Sequence, residues 1–174
     1  MKKRMPVLLS CGVLLMVFAL HGAEPVQAGN TSLGMGVHYN VLSGDIDDIG
    51  LDSDYFSYVL SLRQRIRPNL RMEFAVDYYP GKNEIDHIVR PFAALVWGDL
   101  INFGAGVTRS YIKHETEGSE WSDLSYQVQA GVQFPLGNNV DLNLDAFYFL
   151  QEFDEITDIN LKNLTFAARL FFRF

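Results

Sequence analysis

The chain has 174 residues, a formal net charge of −7, 48% apolar residues and one cysteine, which suits a single domain. The acidic balance excludes the basic face that nucleic-acid binding requires, and a lone cysteine excludes a disulfide framework. Beyond the N-terminal segment, no apolar run is long enough for a transmembrane helix.

The first element in chain order is an export segment. Lys2, Lys3 and Arg4 form a basic start, Met5 to Leu20 is apolar, and Val26-Gln27-Ala28 fits the small-residue rule for cleavage. This predicts a signal peptide over 1–28 and a mature domain over 29–174. Cys11 has most of the apolar run after it, which is the wrong side for a lipidated cysteine. Three of the 14 basic residues and one of the 21 acidic residues lie in 1–28, so the mature part has a net charge of −9.

Eight segments of about ten residues follow, each alternating with period two as half-buried strands do. Segment 32–41 sets Leu33, Met35, Val37, Tyr39 and Val41 against Ser32, Gly34, Gly36, His38 and Asn40. Segment 55–66 sets Phe56, Tyr58, Leu60 and Leu62 against Ser57, Ser61, Arg63 and Arg65. Segment 70–79 is the most regular, with Leu70, Met72, Phe74, Val76 and Tyr78 alternating with Arg71, Glu73, Ala75, Asp77 and Tyr79. In 88–97, Val89, Pro91, Ala93, Leu95 and Trp97 form the apolar side and Arg90 lies opposite. Segment 101–111 sets Ile101, Phe103, Ala105 and Val107 against Asn102, Gly104, Gly106, Thr108 and Ser110. Segment 125–134 sets Tyr126, Val128, Ala130, Val132 and Phe134 against Gln127, Gln129, Gly131 and Gln133. Segment 140–150 sets Val140, Leu142, Leu144, Ala146 and Tyr148 against Asp141, Asn143 and Asp145. The last segment, 164–174, alternates Leu164, Phe166, Ala168, Leu170, Phe172 and Phe174 with residues that include Thr165, Arg169 and Arg173.

Three connections are tight, at 67–69, 98–100 and 136–138, and each carries the Gly, Pro, Asn or Asp that hairpin turns need. Four are longer and acidic, at 42–54, 80–87, 112–124 and 151–163. Short turns at one end and long loops at the other describe an up-and-down meander.

Alternation alone does not say which face meets solvent. A lipocalin-type barrel turns its apolar face inward, whereas a membrane barrel turns it outward. Strand length favours the membrane, because soluble strands average about 5–6 residues and tilted bilayer spans need about 9–11. The hairpin register favours it too. Centred on Pro68, the first hairpin pairs Arg63 with Glu73 on the polar side and Tyr58 with Tyr78 at the far end. Centred on Gly137, the third pairs Tyr126 with Tyr148. Such tyrosines, with Trp97, Phe134, Phe172 and Phe174 at the turn end, suit the two aromatic belts of a bilayer-spanning wall. The polar face is the third argument. Arg63, Arg71, Arg90, Arg169 and Arg173 share it with Glu73, Asp77, Asp141 and Asp145, and no lysine stands in these segments. Paired arginine and carboxylate suit a buried interior. The glycines on that face leave room in a narrow lumen for Phe92, Phe147 and Phe149.

These features predict an all-β fold, an eight-stranded antiparallel up-and-down transmembrane β-barrel that closes first strand on last, since open edges are not tolerated in hydrocarbon. The signal peptide, the eight strands and the terminal "FAARLFFRF" together resemble the small eight-stranded outer-membrane barrels of the OmpA/OmpX and opacity-protein type. The resemblance covers 29–174. It implies residence in the bacterial outer membrane, lipid and lipopolysaccharide as surroundings, and a monomer. It also implies recognition of Phe174, Phe172, Leu170 and Phe166 by the barrel-assembly machinery.

The chemistry-bearing residues give few further leads. Asp45, Asp47, Asp48, Asp52 and Asp54 suggest a calcium loop, but Ile49 and Phe56 occupy ligand positions, so no metal site is expected. No cofactor motif occurs. The expected role is structural or interactive. A narrow channel is one alternative, although eight strands leave a lumen that side chains nearly fill. A lipid A-modifying enzyme is another, with His114 near Glu115, Glu117, Ser119 and Glu120, but no spacing there defines a triad.

Overall fold

The computed structural model describes residues 30–82, apart from 41–54, together with 85–116, 118–150 and 164–174. The expected signal peptide, the aspartate-rich loop at 42–54 and the loop at 151–163 lie outside the described residues.

Among the described residues ten antiparallel strands form one sheet: β1 (Thr31–Asn40), β2 (Tyr55–Arg67), β3 (Leu70–Lys82), β4 (Ile85–Trp97), β5 (Ile101–Thr108), β6 (Tyr111–His114), β7 (Ser119–Trp121), β8 (Ser125–Pro135), β9 (Val140–Leu150) and β10 (Leu164–Arg173). The order is β3-β2-β1-β10-β9-β8-β5-β4, and β3 also pairs with β4, so eight strands close into a barrel while β6 and β7 continue the sheet beyond β4. Closure joins β1 to β10: Ser32 faces Arg173 and Asn40 faces Thr165, and the Phe174 amide donates to the Thr31 carbonyl at 3.1 Å.

The wall is inverted relative to a soluble sheet. Leu60, Leu95, Phe103 and Trp97 on its outer face are each more than half exposed. Arg169 and Glu73 inside are 0% exposed. The polar interior is crowded, and some glycines have no alternative. A Cβ on Gly34 would meet the Phe171 ring, and one on Gly36 would meet Arg169.

The first hairpin has the expected register, with Arg63 facing Glu73 and Tyr58 facing Tyr78; a bulge between Arg65 and Arg67 absorbs the turn. Four expectations are corrected. Tyr126 faces Leu150, and Tyr148 faces Val128. The turn is centred one residue later than Gly137, and the Leu136 amide reaches the Val140 carbonyl at 2.9 Å. A one-residue change of centre slips the pairing by two and keeps every side chain on its own face.

The segment 80–87 is not a long loop. β3 and β4 extend to pair Lys82 with Ile85, because the inner face turns apolar there: Tyr79, Ile85 and Ile88 form a buried cluster that Ile112 packs against. The segment 112–124 is not wholly a loop either, since β6 and β7 make a hairpin. The strand expected at 101–111 breaks at 109–110, opposite Pro91. Proline has no N–H to give to a neighbouring strand. Pairing with β4 stops at Phe92–Thr108 and resumes at Val89–Tyr111.

Candidate functional site: the lumen network and the aromatic ledge

Alternate residues of neighbouring strands point into a lumen that cannot be wide, so charges from four or more strands converge. Arg169 on β10 is the hub. Its Nη2 donates to Asp145 Oδ2 on β9 at 2.8 Å, and its Nη1 donates to Ser61 Oγ on β2 at 3.3 Å and to Glu73 on β3. Arg63 Nε donates to the other Glu73 oxygen at 2.6 Å. The Arg63 guanidinium also stacks 3.4 Å above the centre of the Phe171 ring. Glu73 thus has an arginine on each carboxylate oxygen, as a charge held away from water requires.

A second cluster lies nearer the loop end. Arg90 Nη2 donates to Asp77 Oδ2 at 2.9 Å, and His38 Nδ1 lies 3.2 Å from Asp77 Oδ1. Tyr79 and Phe149 flank the Arg90 guanidinium at 4.9 Å and 4.2 Å. The Asn40 carboxamide accepts from Thr165 Oγ1 at 2.8 Å and from Tyr79 at 3.3 Å. At the turn end, Arg173 Nε lies 3.1 Å from Asp141 Oδ2, and Arg71 Nη1 donates to the Gly98 carbonyl at 2.7 Å. The structure therefore places Arg63, Arg71, Arg90, Arg169, Glu73, Asp77, Asp141 and Asp145 inside, and Arg173 at the rim, 32% exposed. The wall is also lined by the buried amides Asn102 on β5, Gln127 and Gln129 on β8 and Asn143 on β9.

The outer face carries the aromatics of the expected belts. Tyr58, Tyr78, Trp97, Phe166, Leu170, Phe172 and Phe174 are all exposed there. Tyr126 and Tyr148, on the same face by strand parity, are half-buried. A further aromatic array stands beside the broken strand, and sequence reasoning missed it. The rows Tyr58–Tyr78, Tyr78–Val89, Val89–Tyr111 and Tyr111–Trp121 run on from wall to hairpin without a step. The rings touch in sequence: Tyr78 on His87 at 6.0 Å, His87 on Tyr111 at 6.4 Å and Tyr111 on Trp121 at 5.2 Å.

This ledge ends in cations. The Arg109 guanidinium lies 5.4 Å from the centre of the Trp121 ring, and its Nε donates to the Ser122 carbonyl at 2.6 Å. Lys113 pairs with His87 across β6 and β4. Its ammonium lies 2.9 Å from Asp86, and that hydrogen bond holds its pKa above the ordinary lysine value. His114 Nε2 lies 3.5 Å from Glu120. Among the described residues no cluster of three or more metal-ligating side chains occurs.

No family model matches this chain, and no curated protein is detectably similar to it in sequence. Solved structures are similar in fold. Neisserial surface protein A superposes with a TM-score of 0.62 at 18% identity, covering 85% of this chain and 99% of that one. The N-terminal β-barrel domain of Pseudomonas aeruginosa OprF gives 0.56 at 11% identity, covering 85% and 100%. The fold is that of a small eight-stranded outer-membrane barrel.

Proposed function

We propose that this chain resides in the bacterial outer membrane as a plugged barrel, with a structural or interactive role carried by its loop end and its lipid-facing wall. One observation carries the reading: full charges are sealed along the axis while large apolar side chains cover the outside, the arrangement that suits hydrocarbon. We further read β10, with Phe166, Leu170, Phe172 and Phe174 on its outer face, as the element offered to the assembly machinery. A cleaved segment over 1–28 brings the chain to the membrane.

The membrane reading is tested on a gel. The membrane fraction is expected to require detergent for extraction, and the unboiled protein is expected to migrate ahead of the boiled protein. A freely water-soluble chain with no such shift would end this reading.

The channel alternative is tested by conductance. Arg63, Arg90 and Arg169 are stacked against Phe171, Phe149 and Phe147 across the lumen, so planar bilayers are expected to show no resolved single-channel steps. Steady current altered by Arg63→Ala or Glu73→Ala would favour a channel. The enzyme alternative predicts a mass change in lipid A of expressing cells that His114→Ala abolishes; unchanged lipid A is the expected result.

A further inference from the structure

The geometry points to a binding site for the phosphate-bearing headgroup of an outer-leaflet lipid on the ledge formed by β4, β6 and β7. This rests on the membrane reading and names a lipid partner for one patch of the wall.

Up the outer face of β4 from the turn end, the side chains are Trp97, Leu95, Ala93, Pro91 and Val89, and then His87. Trp97 to Val89 is eight residues, or about 26 Å of strand. At the usual tilt that is about 20 Å along the barrel axis, close to the height of the lipid-facing band of such barrels. The change from aliphatic residues to His87 and Lys113 therefore falls where acyl chains end and headgroups begin. Tyr78, Tyr111 and Trp121 lie at the same boundary, where amphipathic rings are favoured.

Two further features make this boundary specific. The mature part is strongly acidic, yet three basic side chains gather here, and the aromatic rings link Arg109 to His87 in one chain of contacts. Their use of counter-charge also differs. Lys113 and His87 share Asp86, at 2.9 and 3.4 Å. Arg109 has a ring face and a carbonyl as partners, and among the described residues no carboxylate lies within ion-pair distance of it. A guanidinium fixed by its Nε and backed by an indole presents its two terminal nitrogens as a fork, which matches phosphate geometry. Continuity with the apolar wall selects a lipid: the same molecule can lay its chains on Ala93 and Leu95 while its phosphate groups meet Arg109, level with Pro91, and Lys113. Asp86 competes with them for Lys113.

Tryptophan fluorescence provides the test. The sequence has two tryptophans, so Trp97→Phe leaves Trp121 as the only reporter. This variant is reconstituted in phosphatidylcholine vesicles and titrated with diphosphoryl lipid A or with the same lipid stripped of phosphate. Trp121 emission is expected to change saturably with the first and not with the second. Arg109→Gln is expected to weaken the response about tenfold, the worth of one charge-assisted hydrogen bond. Asp86→Asn is expected to tighten it several-fold, a gain that misfolding does not produce. Equal responses to both lipids overturn the proposal, as does the same saturation by inorganic phosphate alone, which would indicate a free-anion site. A wild-type chain that never inserts removes the premise and the proposal together. An inserted, heat-modifiable barrel indifferent to phosphate removes the proposal alone.

Discussion

Replacing Arg169 by leucine is expected to remove about 3–5 kcal/mol of stability, the usual result of breaking a buried ion pair from one side. Asp145 would lose its guanidinium partner, and Glu73 would keep only Arg63. Both carboxylates would remain sealed from water, because Arg169 and Glu73 are 0% exposed and Asp145 is 4% exposed. The measurement is the urea midpoint of the folded band in phospholipid vesicles. Adding Asp145→Asn to Arg169→Leu removes the stranded charge, so the double variant is expected to be more stable than Arg169→Leu alone. If the two losses simply add, Arg169 and Asp145 are not coupled and the network is incidental.

The second large effect concerns the wall. Leu60 is 56% exposed, and Met35 and Val76 flank it on the neighbouring strands. In a water-soluble sheet, arginine at such a place changes stability by about 0.5 kcal/mol or less. Midway through a bilayer it costs about 2–4 kcal/mol, falling towards zero near the interface. Leu60→Arg is therefore expected to destabilise the barrel strongly in vesicles, and Phe56→Arg, four residues nearer the loop end, much less. Equal and negligible costs at the two positions would mean that water, not lipid, covers this face.

The architecture was readable because period-two alternation is a strong local signal and because the tight turns at 67–69 and 98–100 leave little freedom of register. The turn at 136–139 offered more than one centre, which is why the partners of Tyr126 and Tyr148 were misassigned while their side of the wall was not. The ion pair of Arg63 with Glu73 is visible in the hairpin register; that of Asp77 with Arg90 lies across β3 and β4, whose register a long loop at 80–87 would leave open. The hub is not visible in any hairpin register. Arg169 and Glu73 sit on strands separated by β1 and β2, and alternation states only that both point inward. The ledge was hidden for two reasons. The inner face becomes apolar at Tyr79, Ile85 and Ile88, which disguises strand as loop. Pro91 also interrupts the ladder, so that the rest of β6 after Tyr111 reads as part of a loop.

That Ser32 finds its partner in Arg173 bears on how such a molecule comes into being. Any shorter length of the polypeptide has two raw margins and nothing to join them, and pairing groups so far apart along the chain is slow. A growing product cannot lock into shape piece by piece, since an unsealed margin invites strangers. β10 is the strand that shuts the cylinder against β1, so closure waits until synthesis has reached it.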